Sequence, residues 1–221
     1  MTYGENLFAA YYNAHRLPEW LPTDGLVYFD DFAELRDRAP TGQAYSQMAG
    51  ATAAYTIETL GGRKCLYKAE ADNRLDIDLQ MQVKSHTWGL FAYDSLGTCT
   101  NQQVFNLRGY ASGTDILRFR DSSNRISVFN YKNGTSTAAV RVTDKYSGGA
   151  WHLILGWQGS SWWGVGFDGI QNLSSVQKSP QETDNAVILT TTTYGVGIRN
   201  AFCYDRVLTQ TDVEQIYTNG L

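Results

Sequence analysis

The sequence predicts an all-β domain in which antiparallel strands pack as a sandwich or barrel, and three observations carry that prediction. First, residues 75–84 alternate strictly: Leu75, Ile77, Leu79, Met81 and Val83 fall on one face, and Asp76, Asp78, Gln80 and Gln82 on the other. Only a strand presents successive side chains to opposite faces in this way. Second, short apolar and β-branched runs follow at 87–93, 104–108, 116–120, 125–131 and 138–142. They are separated by turn chemistry such as Asp121-Ser-Ser-Asn124 and Lys132-Asn133-Gly134, the latter a hairpin signal. Third, 14 Tyr, 9 Phe, 6 Trp and 21 Gly stand against only 4 Pro. Aromatic residues suit a pleated surface, and glycine supplies the positive φ of tight turns.

In chain order, residues 1–22 differ from the rest. Over 5–15 the sequence ENLFAAYYNAH spaces Leu7, Phe8, Tyr11 and Tyr12 as on a short helix, and Pro18 and Pro22 then break it. The expected organisation is an N-terminal arm, 1–22, ahead of a domain spanning 23–221. The arm's apolar cluster either packs on the sandwich or docks on a partner. Leu26-Val-Tyr-Phe-Asp-Asp opens the domain. A short helix closes it: Thr209 is a suitable N-cap with Asp212 three residues on, Val213, Ile216 and Tyr217 form an apolar stripe, and Gly220 supplies a stop.

The hairpin over 151–169 is the most informative segment. Pairing its strands around the 158–162 turn sets Trp157 against Trp163, Leu155 against Val165 and Leu153 against Phe167, a solid apolar face. The opposite face then carries Gly156 and Gly164, Ile154 and Gly166, and His152 and Asp168. The expectation is a shallow floor of bare backbone formed by Gly156, Gly164 and Gly166, which a ligand could approach closely. Trp162 at its end would stack on a ligand, and His152 with Asp168 would offer hydrogen bonds.

Length and charge narrow the function. A chain of 221 residues fits one large β domain that needs no disulfide or metal staple. A net charge of −4 and a pI near 5.3 argue against nucleic acid as a partner. No apolar run approaches the length of a membrane span. The N-terminal residues lack a basic region followed by an apolar core, so the sequence is expected to be made in a cytoplasm without a signal peptide. Cys65, Cys99 and Cys203 are odd in number and widely spaced, as reduced thiols would be.

Three parts of the chain resemble a known family. Trp151-His152, an apolar strand to Trp157, a Gly/Ser turn and Phe167-Asp168-Gly169 resemble the central hairpin of laminin-G-like and concanavalin A-like lectin-glucanase jelly rolls. Residues 197–209, GIRNAFCYDRVLT, are similar to that family's closing strand, the segment 212–217 to its terminal helix, and Gly25-Leu-Val-Tyr-Phe to its opening strand. The resemblance runs in ordered pieces over about residues 25–221. It implies a two-sheet antiparallel jelly-roll sandwich. Its motifs are structural and specify fold better than function. Calcium is common in the family, held by loop carboxylates and carbonyls that one sequence does not assemble.

Catalytic motifs are weak or misplaced. Gly164-Val-Gly-Phe-Asp-Gly169 matches a dinucleotide fingerprint literally but lies in a hairpin, without the helix whose N-terminus would meet a pyrophosphate. Glu70-Ala-Asp72-Asn-Arg-Leu75 has leucine where a glycosidase of this fold would place its second carboxylate, and hydrolysis needs two. His15, His86 and His152 lack metal-ligand spacing, so no metal site or other cofactor is expected. The sequence is therefore read as a non-enzymatic, lectin-like module for binding or assembly. Its expected partner is a glycan or a protein, with a phage fibre or capsid decoration component as one setting and other virion proteins or a second copy of the chain as candidate partners. The alternatives are a divergent glycoside hydrolase or lyase and a purely structural oligomeric subunit.

Overall fold

In the computed structural model, residues 17–32, 45–47, 56–68, 75–77, 85–95, 102–109, 113–120, 126–132, 135–142, 148–177, 185–188 and 195–221 are described. Their strands, in chain order, are β1 (Leu26–Asp30), β2 (Tyr45–Gln47), β3 (Thr56–Leu60), β4 (Arg63–Lys68), β5 (Leu75–Ile77), β6 (His86–Asp94) and β7 (Gln102–Gly109). There follow β8 (Gly113–Arg120), β9 (Ile126–Lys132), β10 (Thr135–Val142), β11 (Trp151–Gln158), β12 (Trp162–Phe167), β13 (Ile170–Gln177), β14 (Asn185–Ile188) and β15 (Val196–Tyr204). The helix α1 (Gln210–Asn219) comes last. The arm residues Leu7, Phe8, Tyr11 and Tyr12 lie outside the described residues, as do Glu70 and Asp72.

The strands form two antiparallel sheets, so the jelly-roll sandwich expected from the sequence is the fold. One sheet has the order β13-β12-β11-β6-β15-β4-β3, with β1 added on β15, and the other β10-β9-β8-β7-β14-β5-β2. Between them lies an inner core in which Trp88, Leu90, Ile154, Trp163, Val165 and Ile198 of the first sheet meet Phe105, Leu107, Leu117 and Ile126 of the second. Trp88 Nε1 donates to the Phe105 carbonyl across the gap at 3.2 Å, which satisfies a buried indole and ties the layers together.

The first sheet is apolar on its outer face too. Leu153, Leu155 and Trp157 of β11, Phe91 of β6 and Phe202 and Tyr204 of β15 point away from the sandwich and form a second core. Val213 and Ile216 of α1 cover it, together with Leu17 and Leu21 from the chain ahead of β1. The Tyr204 hydroxyl donates to the Pro22 carbonyl at 2.8 Å, and Gln215 Nε2 donates to the Trp20 carbonyl at 2.8 Å, so helix, sheet and leading strap hold one another. Residues 17–22 thus pack on the domain.

The helix begins as its sequence predicts. The Thr209 side chain accepts from the Asp212 N–H at 3.2 Å while Asp212 Oδ2 accepts from the Thr209 N–H at 2.9 Å, a complete capping box. Gly220 follows the last turn in ordinary right-handed geometry, and a Cβ there would strike the Ile216 carbonyl at 2.5 Å and the Phe91 ring at 2.7 Å. Cys65 and Cys203 are buried free thiols, and burial pushes the Cys65 thiol up to about 11.

Candidate functional site

The β11–β12 hairpin forms where the sequence places it but in a different register. Ile154 pairs with Phe167, Leu155 with Gly166, Gly156 with Val165, Trp157 with Gly164 and Gln158 with Trp163. The turn is closed at Gly159, whose N–H donates to the Trp162 carbonyl at 2.8 Å, leaving Ser160 and Ser161 as the loop. The expected pairing of Trp157 with Trp163 is one residue out, and a slip of one moves a whole strand's side chains to the other face.

The glycine floor is therefore split. His152, Ile154 and Gly156 face inward with Trp163, Val165 and Phe167, whereas Gly164 and Gly166 face outward beside Leu155 and Trp157. Neither outward glycine is bare. A Cβ on Gly164 would lie 2.2 Å from the Trp157 ring, and one on Gly166 would lie 2.8 Å from Leu155 Cδ1 and 2.6 Å from two carbonyl oxygens of β13. The small residues accommodate large neighbours across the strand. Trp163 is core, as expected, but its partner is Gln158, whose Oε1 accepts from the indole N–H.

His152 and Asp168 do meet across the hairpin, with Nδ1 and Oδ2 2.8 Å apart. His152 is 6% exposed, and its imidazole stacks on Phe167 with ring centroids 5.0 Å apart. The other Asp168 oxygen accepts from the Leu153 N–H at 2.9 Å. Asp168 and Gly169 have φ of 43° and 85° between the paired Phe167 and Ile170. Positive φ at both central positions is the tight turn that Asp-Gly favours. The pair therefore braces the β12–β13 turn. It also disposes of the dinucleotide fingerprint, because the segment runs from strand to strand. Gln210 of α1 completes the brace: its Nε2 donates to the Gly169 carbonyl at 2.7 Å and its Oε1 accepts from the Gln171 N–H at 2.9 Å.

Trp162 is different. It stands 48% exposed at the start of β12, on the outward side, opposite Gln177 of β13. Its alternation with the buried Trp163 was visible in the sequence; its neighbours were not. Ser175, opposite Gly164, and Gln177 are exposed residues of β13, at the end of the sheet order. Among the described residues no cluster of His, Cys, Asp and Glu is placed to hold a metal ion. No helix among them is long and apolar enough to cross a membrane.

No protein-family model matches the chain, and no curated protein matches it in sequence. Solved structures do match its fold. The receptor binding domain of botulinum neurotoxin D aligns with a TM-score of 0.68 at 10% identity, over 90% of this chain and 53% of that one. The botulinum neurotoxin serotype D ligand binding domain in complex with N-acetylneuraminic acid gives 0.66 at 11% identity, over 89% and 51%. The binding domain of botulinum neurotoxin DC in complex with SialylT gives 0.65 at 7%, over 89% and 52%. The chain spans about half the length of these structures, and at such identities the likeness establishes the β-sandwich fold alone.

Proposed function

We propose that the chain is a non-catalytic recognition module of the laminin-G-like and concanavalin A-like kind, whose ligand is a glycan. The carrying observation is Trp162, a large indole left 48% exposed at a hairpin turn while the neighbouring Trp163 is fully buried. An exposed aromatic face beside polar strand residues suits stacking on a sugar ring. Of the acid–base candidates, the pair His152 and Asp168 gives little to set against this reading. His152 and Asp168 are committed to each other and to the turn, with His152 stacked under Phe167. The likeness to domains solved with N-acetylneuraminic acid and SialylT supports a glycan over a protein as the first ligand to test. A virion setting and self-association extend this proposal and rest on the sequence of the arm. Calcium enters only as a loop-bound ion, to be tested by chelation.

A glycan array that includes sialylated and neutral sugars, run beside a reducing-sugar release assay, tests the reading. Binding without release is expected, and Trp162→Ala should abolish binding while leaving the melting temperature unchanged. Release of sugar by the wild type, lost on changing Glu70 and Asp72 to Ala, would instead make the chain a hydrolase.

A further inference from the structure

The outward face of the β11–β12 hairpin holds a hydrogen-bond donor with nothing to donate to. Trp157 is 8% exposed, and its indole N–H is buried without an acceptor. Other tryptophans of this protein are satisfied: Trp88 donates to the Phe105 carbonyl, Trp151 to the Leu60 carbonyl and Trp163 to Gln158. Buried donors are paired as a rule, and an orphan calls for an explanation.

The register defines the orphan's surroundings. The Nε1 edge of Trp157 lies across Gly164, 2.4 Å from where a Cβ would stand. Gly164 is followed outward across the sheet by Ser175, and Trp162, on the same face, by Gln177. At the turn, a Cβ on Gly159 would sit 3.9 Å from the Trp157 ring and 3.8 Å from both the Trp162 carbonyl oxygen and Val207 Cγ2. The donor, the half-exposed indole of Trp162 and the exposed Ser175 and Gln177 thus share one corner at the end of the sheet.

We propose that this corner is a subsite for an N-acetylated sugar. The proposal rests on the glycan-binding reading and adds the class of sugar. The pyranose ring stacks on Trp162, and Ser175 and Gln177 meet its hydroxyls. The acetamido carbonyl accepts from Trp157 Nε1, displacing the atoms that now cover it. An indole N–H can only donate, so the ligand must bring the acceptor. An amide carbonyl is a stronger acceptor than a hydroxyl. A site built around a hydrogen bond rejects the analogue that lacks the partner.

The test uses the intact chain labelled with nitrogen-15 and follows its indole N–H resonances by NMR. The probes are N-acetylglucosamine, N-acetylgalactosamine and N-acetylneuraminic acid, with glucose, galactose and N-methylacetamide as comparisons. Trp157 is assigned from Trp157→Phe or, should that variant not fold, from its through-space contact with Gly164 in the wild type. A saturable displacement of the Trp157 and Trp162 signals by an N-acetylated sugar, with no Trp157 displacement by glucose or galactose, is expected. Trp157→Phe should weaken that binding about three- to tenfold, the equivalent of one neutral hydrogen bond. Movement of Trp162 alone would overturn the subsite and leave the glycan reading intact. Silence of both indoles with a blank array would overturn both. A response to N-methylacetamide without one to any sugar would overturn the sugar in favour of a peptide ligand.

Discussion

Gly164 shows how much of this hairpin depends on single positions. The Trp157 ring occupies the volume that a side chain at 164 would need, at 2.2 Å from the nearest ring atoms. Because Trp157 belongs to the outer core with Leu155, Leu208 and Val213, it has little room to retreat. Gly164→Ala is therefore expected to destabilise the domain by about 1–3 kcal/mol through overpacking, read as a lower urea midpoint. An unchanged midpoint would show that the ring is free to move. Asp168 is equally constrained, since one carboxylate holds both His152 and the Leu153 N–H from a residue at positive φ. Its chemistry is spent on shape, although the same pair in an open cleft would suit a base.

At the scale of the element, α1 is set by its first turn. Burial alone would raise the Asp212 carboxyl, but hydrogen bonds from Arg206 and Thr209 outweigh it and hold the group below its ordinary value of 3.8. Arg206 is correspondingly raised by its hydrogen bond to Asp212, 2.9 Å away. A carboxyl depressed in the folded state stabilises above its unfolded pKa, and that contribution is lost as pH falls through the folded value. The deficit of Asp212→Asn relative to wild type should thus be full at neutral pH and close below about pH 4. Denaturation curves at both ends of that window measure it, and a deficit independent of pH would count against the ionised cap. Thr209→Ala, which removes the other half of the box, should cost about 1 kcal/mol.

On the scale of the whole molecule, the first sheet is a shared wall between two cores. The inner one is closed by the second sheet, the outer one by a helix from the C-terminal end and a strap from the N-terminal end. Leu17 and Leu21 are 6% and 3% exposed. Burying a leucine side chain contributes roughly 1.5–3 kcal/mol, so the strap supports the fold as well as preceding it. Removal of residues 1–22 is expected to lower the melting temperature and expose the outer core to a hydrophobic dye, whereas removal of 1–16 leaves these strap contacts in place. Equal melting temperatures for the 1–22 deletion and the full chain would show that α1 alone covers the sheet.

The sequence by itself determined the all-β class, the central hairpin, the closing strand and the capped helix. Each depends on local chemistry: alternation, turn residues between apolar runs, Thr209 and Asp212 at a helix start. Another local signal passed unread. Gly61-Gly62, with φ of 53° and 75°, turns β3 into β4. β13 was illegible because a shift of register between its pairs with Val165 and Phe167 breaks the alternation, so Leu173 and Val176 both reach the inner core. Only the tertiary structure decided which residues of β11 and β12 face each other, and with them the candidate site. Alternation fixes register when one face of a strand meets water, and β11 is buried on both. With an apolar layer on either side, no pattern of polar residues could favour one pairing. The choice fell to packing, which laid Trp157 across Gly164, left its N–H unpaired and set Trp162 at the surface.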